Sequence, residues 1–180
     1  AVEKKENESK SLPKAAVWFD GNSTLHPFTC TANVIKVDLV GPETTDKASA
    51  VKALQARQYK GFTAVIPVKD IHSHEADMDK NMYKAFKPEK YPEIRFEMTS
   101  YDLLEPGTKG EQPIKVKGKL TLAGAEKVIT LDGIVTTTID GFRISGDYTL
   151  LMKDYGIDPP SIMFVINVDN KVVVHYEVTI

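Results

Sequence analysis

In four stretches of this chain, apolar and polar residues alternate one for one, which leaves few folds open. Ile94, Phe96 and Met98 are interleaved with Arg95, Glu97 and Thr99. From Ile114 to Leu122 the pattern repeats, with Lys115, Lys117 and Lys119 in polar positions. Phe142, Ile144, Gly146, Tyr148 and Leu150 share a face against Arg143, Ser145, Asp147 and Thr149. Val172, Val174, Tyr176, Val178 and Ile180 do so near the end of the chain, opposite Val173, His175, Glu177 and Thr179. Successive strand side chains point to opposite faces, so strict alternation predicts antiparallel strands with one dry face and one wet one. A slip of one residue would reverse a whole set. The expectation is therefore that Phe96, Met98, Val116, Leu120, Phe142, Ile144, Tyr148 and Leu150 point inward. Arg95, Glu97, Lys115, Lys117, Lys119, Arg143 and Asp147 should face water.

Turn residues sit between these runs, at Pro106-Gly107, Lys109-Gly110, Asp140-Gly141 and Asp169-Asn170, so consecutive strands form a meander. Trp18-Phe19, His26 to Val40 and Phe62 to Val68 give three less regular strands. Pro67 marks the last as an edge or a bulge. Two segments read as helix. Asp46 to Arg57 is rich in helix formers, with Thr45 or Asp46 as cap and Val51 and Leu54 facing the body. Glu75 to Lys87 places Met78, Met82, Tyr83 and Phe86 on one face, and Pro88 stops it. About eight antiparallel strands with one or two short helices mean a sandwich or a barrel, and long one-sided strands with short turns favour an up-and-down barrel. At eight strands a barrel can be filled by its own side chains or can hold one small ligand. Its inward candidates are Phe96, Met98, Phe142, Tyr148, Leu150, Met152, Phe164 and Tyr176, with no charge among them.

Composition narrows the function classes. The 180 residues suit one domain over 13–180, preceded by a charged, polar stretch over 1–12 that reads as a disordered tether. A formal net charge of −2 offers no basic field for nucleic acid or anionic lipid headgroups. No apolar run approaches the ~20 residues of a membrane-spanning helix. The chain starts at Ala1 rather than Met, so something upstream is expected to have been removed, by a signal peptidase or in cloning. The single cysteine, Cys30, excludes an intramolecular disulfide or a multi-cysteine metal site.

Residues able to carry chemistry are few. His72 and His74, with Glu75, Asp77 and Asp79, make one metal-like cluster. Alternating histidines point apart on a strand, however, and a solvated helix start is the plainer reading. His26, beside Pro27, is either a structural histidine or a headgroup contact at the barrel rim. His175 falls on the wet face and is assigned no role. Cys30 has no base near it in sequence and reads as an inert thiol. There is no Gly-x-Ser-x-Gly elbow and no phosphate-cradling glycine loop. The Met78, Met82 and Phe86 stripe is the helix's packing face, and also suits a greasy lid over an apolar tunnel.

The stretch Met78 to Phe96 (MDKNMYKAFKPEKYPEIRF) resembles the segment of the YceI-like family in which a helix runs into a Tyr-Pro-x-Ile-x-Phe strand. Gly118 to Gly124 followed by Val128 to Leu131 is similar to that family's glycine-flanked hairpin. Met152 to Ile157 resembles its Asp-aromatic-Gly-Ile element, and Ser23 to Phe28 its early Ser-x-x-His region. The matches run in family order over most of residues 15–180. The resemblance implies a lipocalin-like extended antiparallel β-barrel holding a long isoprenoid lipid, a polyprenyl chain or an isoprenoid quinone. It further implies a periplasmic or secreted location with the signal peptide removed. Two departures stand out: the Asp46–Arg57 segment lengthens a connection, and Met152 replaces an arginine, so no headgroup contact carries over to it.

The favoured function is thus non-enzymatic lipid binding and carriage, with no cofactor and no nucleic-acid partner; a homodimer stays open. The alternative is a self-filled barrel acting as a protein-interaction module. Ligand contacts are expected from Phe28, Met78, Met82, Phe86, Phe96, Met98, Gly118, Phe142, Ile144, Gly146, Tyr148, Leu150 and Phe164, and a headgroup contact from His26. Gly118 and Gly146 should leave room beside the tail.

Overall fold

The structure, a computed structural model, describes residues 13–162 and 166–180. Its strands are Lys14–Asn22 (β1), Pro27–Ala32 (β2), Lys36–Val40 (β3), Gly61–Pro67 (β4), Ile71–His72 (β5), Glu93–Leu103 (β6), Gln112–Leu122 (β7), Ala125–Thr137 (β8), Phe142–Leu151 (β9), Ser161–Ile162 (β10), Ile166–Asn167 (β11) and Lys171–Thr179 (β12). Helix α1 spans Lys47–Gln55 and α2 Ala76–Phe86. Ten strands form one antiparallel sheet in the order β3-β4-β6-β7-β8-β9-β12-β1-β2-β5, and β10 and β11 pair separately. The tether expected over residues 1–12 and the inward Phe164 lie outside the described residues.

The sheet curls into a half-barrel, with ten strands in its wall rather than eight. The run read as one strand over His26 to Val40 is broken in the middle, and the run over Phe62 to Val68 is followed by a further short strand. The first changes direction at residues 33–35, between β2 and β3. The second breaks after Pro67, which has no N–H for the ladder, and makes one 3-10 turn (Val68–Asp70) before β5. The breaks face each other: Asn33 donates its backbone N–H to the Asp70 carbonyl at 2.9 Å. β3 pairs with β4 and β2 with β5, so these two bent segments carry the two ends of the sheet.

The alternation read for β6, β7 and β9 holds. Arg95, Glu97, Lys115, Lys117, Arg143 and Asp147 are exposed, and Lys119 is half-buried beside Glu126. β6 interrupts its own pattern with a bulge between Met98 and Ser100. The extra residue shifts the inward set from Ile94, Phe96 and Met98 to the buried Tyr101.

Each helix closes one end. Asp46 caps α1 by accepting from the Ser49 backbone N–H at 2.8 Å. The helix buries Ala50, Ala53 and Leu54 against Tyr59, Tyr101, Ile114 and Phe142. α2 buries Met78, Met82 and Phe86, the last two packing with Cys30, Val68, Ile71, Leu122, Met152 and Tyr155. The first cluster takes the end of β6 and the starts of β7 and β9. The second takes the end of β7 and of β9 and the start of β12. In an antiparallel wall those are opposite ends.

Candidate functional site

Between the two clusters lies a cavity of about 220 Å³. Every one of the ten strands in the curled sheet contributes a side chain to it, α1 contributes Leu54, and α2 contributes Phe86. None of the lining residues is charged. Tyrosines supply its polar atoms, and two of these are engaged: Tyr101 Oη donates to the Leu54 carbonyl at 3.0 Å, and Tyr176 Oη donates to the Asp132 carbonyl. The lining carries no carboxylate, imidazole, amine or thiol, and its hydroxyls are those of tyrosines. It can hold an apolar molecule and select it by shape.

The eight residues expected to point inward, Phe96, Met98, Val116, Leu120, Phe142, Ile144, Tyr148 and Leu150, all line this lumen, as do Met152 and Tyr176. Phe28, Met78 and Met82 do not. They border a smaller cavity of about 20 Å³ beneath α2, which shares Phe19, Phe86 and Met152 with the lumen. Sequence reasoning missed Tyr59 and Tyr101 at the far end, where they converge with Leu54 and Ile180. The parity shift behind Tyr101 is hidden in Thr99-Ser100, two polar residues in succession.

Gly118 and Gly146 are placed otherwise than expected. A Cβ on Gly118 would stand 2.5 Å from Phe96 Cζ and 2.6 Å from the Glu97 carbonyl oxygen. At Gly146 it would strike the Asp132 carbonyl and Tyr176 Oη. The protein's own atoms fill the room these glycines leave. A leucine there would disrupt the wall itself, rather than block a tail in a barrel that still folds.

Three of the four histidines, His26, His72 and His175, are paired off outside the lumen. His26 Nε2 lies 3.1 Å from Glu75 Oε1, just before α2, and His72 Nδ1 lies 3.5 Å from Asp79 Oδ2. His26 lines neither cavity. Among the described residues no group of three or more His, Cys, Asp or Glu side chains converges in a metal-holding arrangement. His175 is more tightly held than its outward position predicts. It sits between Asp147 (2.5 Å) and Asp20 (2.7 Å), stacked on Trp18 with ring centroids 5.4 Å apart. Cys30 is fully buried; burial, and then the negative charge of Asp79, push its thiol up to about 12. That thiol is inert.

The profile of one protein family, described as a YceI-like domain, matches residues 18–180. Solved structures share the fold. BcnA of Burkholderia cenocepacia superposes with a TM-score of 0.68 at 14% identity, covering 92% of this chain and 96% of that one. A domain from Saccharophagus degradans, described as polyisoprenoid binding and implicated in plant cell wall breakdown, gives 0.64 at 13% identity over 91% of each chain. The YCEI protein of Campylobacter jejuni gives 0.57 at 16% identity, covering 81% of this chain and 80% of that one. No curated protein matches.

Proposed function

The chain belongs to the family of YceI-like domains, and on that premise we propose that it is a non-enzymatic carrier holding an isoprenoid lipid in its lumen. The observation that carries the reading is the lining: side chains from all ten strands and both helices enclose one space, with no charge among them. Burial is worth about 0.8 kcal/mol per CH₂, so a prenyl tail binds by length alone, without polar contacts. The polyisoprenoid-binding description of the Saccharophagus degradans domain, a neighbour in fold, supports the same class of ligand. A branched, unsaturated chain suits a tube walled by aromatic and β-branched side chains.

The test is native mass spectrometry of the purified protein, followed by organic extraction and by titration with prenyl alcohols. A co-purifying isoprenoid, or saturable uptake of an added one, is the expected result. A protein that arrives without lipid and takes up none would defeat the reading and favour a self-filled interaction module.

A further inference from the structure

The two ends of the lumen are built differently. At the α1 end, the closing residues are tied to the wall by directed bonds. Tyr101 Oη donates to the Leu54 carbonyl at 3.0 Å. Arg57 donates to the Tyr101 carbonyl at 3.2 Å and pairs with Asp102 at 2.8 Å. Phe142 and Ile180 exchange both backbone hydrogen bonds, at 3.0 and 2.9 Å. Tyr59 packs edge-on against the fully buried Phe142, with centroids 5.8 Å apart. The α2 end is closed by Met78, Met82, Met152 and Phe86 over the small second cavity. Unbranched thioether side chains re-pack at low cost, and a void beside them gives them somewhere to go. Across that void the lumen and the surface under α2 already share Phe19, Phe86 and Met152.

We infer that the α1 end is a fixed floor, with Leu54, Tyr59 and Phe142 setting how much chain the lumen encloses, and that ligand enters under α2. The inference rests on the carrier reading and adds a length limit to it. Inward residues on β6 run from Ile94 to Tyr101. At ~3.3 Å per residue and a strand tilt of ~35–45°, that span covers roughly 16–19 Å along the barrel axis. An extended chain advances ~1.2 Å per backbone bond, so the enclosed length matches about four five-carbon prenyl units. Further units would emerge beneath α2 and add little.

The experiment titrates the intact protein with all-trans prenyl alcohols from geraniol to solanesol and reads affinity by native mass spectrometry. Affinity should rise about tenfold or more with each added unit, then level off near geranylgeraniol. Leu54→Ala lowers the floor and should move the plateau to a longer alcohol. Val116→Phe, on the wall beside the floor, should move it to a shorter one. Met82→Ala, at the other end, should leave it in place. Opposite shifts from two variants are not produced by general destabilisation. Prenyl alcohols that bind with no plateau, or with one that neither floor variant moves, would overturn the floor and leave the carrier reading standing. A protein that binds none of them would defeat both.

Discussion

His175 is where single side chains leave a measurable mark on this molecule. Partial burial works against its charged form, but the hydrogen bonds it donates to the Asp147 and Asp20 carboxylates outweigh that and raise its pKa above 6.5. Asp20 is held below 3.8, by the Thr29 hydroxyl first and also by His175. A raised histidine stabilises the fold fully below its unfolded value and loses that contribution as pH rises through the folded one. A depressed carboxylate does the reverse, losing its contribution as pH falls through its folded value. The cluster therefore contributes most between about pH 4 and 6.5. Because both carboxylates are half-exposed or more, solvent screening limits the contribution to about 1 kcal/mol or less. The melting-temperature difference between parent and His175→Gln should peak in that window and shrink on both sides. A difference independent of pH would contradict the assignment. Gly118 gives a second test at this scale. An added methyl meets backbone as well as the Phe96 ring, and Gly118→Ala should cost about 2 kcal/mol or more in chemical denaturation. A neutral substitution would mean the wall can spread there.

Among the elements, β6 and α2 show what alternation can and cannot reveal. The inward set of β6, β7 and β9 was legible because residue type there follows the pleat. Thr99 breaks that rule, sitting as the extra residue of a bulge with its hydroxyl donating to the Lys117 carbonyl at 3.0 Å. Deleting Thr99 leaves Ser100 opposite Lys117 and Tyr101 opposite Val116 in a regular ladder, so Tyr101 stays inward. The deletion should cost only about 1 kcal/mol in urea denaturation, and a loss of several kcal/mol would show that the local twist of the bulge is needed. α2 was legible as an amphipathic stripe ended by Pro88. That α1 plugs the opposite end was not, because its buried face is mostly alanine, Ala50 and Ala53 beside Leu54, and small residues carry little periodic signal. Its partners, Tyr59 and Tyr101, lie on either side of the sequence that was read. Met82→Asp puts a charge into the α2 closure and should reduce lipid retention markedly. It should destabilise less than Met98→Asp within the wall, because a helix at a barrel mouth can lift toward water. Unchanged retention in Met82→Asp would remove α2 from the entry route.

For the whole molecule, a ligand that binds only the folded wall must stabilise it. At a hundred times its dissociation constant the gain is about 2.7 kcal/mol, which in a chain of this size is a rise of roughly 5–10 °C in melting temperature. A flat melting temperature under saturating prenyl alcohol would contradict enclosure in the lumen. The order of the wall also has a temporal side. β1 pairs with β12 from Lys14 opposite Thr179 to Asp20 opposite Val173, so strands far apart in sequence meet in mid-sheet. Among the described residues their pairing joins the segments farthest apart in sequence, and distant contacts slow folding. Until β12 arrives, β6 to β9 form a local meander with one apolar side bare to solvent. A nascent chain in that state is a sticky, unfinished sheet, open to aggregation and equally to a passing hydrocarbon. β12 joins the edge of that meander at β9 and β1 joins β12 in turn, so the wall is completed only when the two distant segments meet.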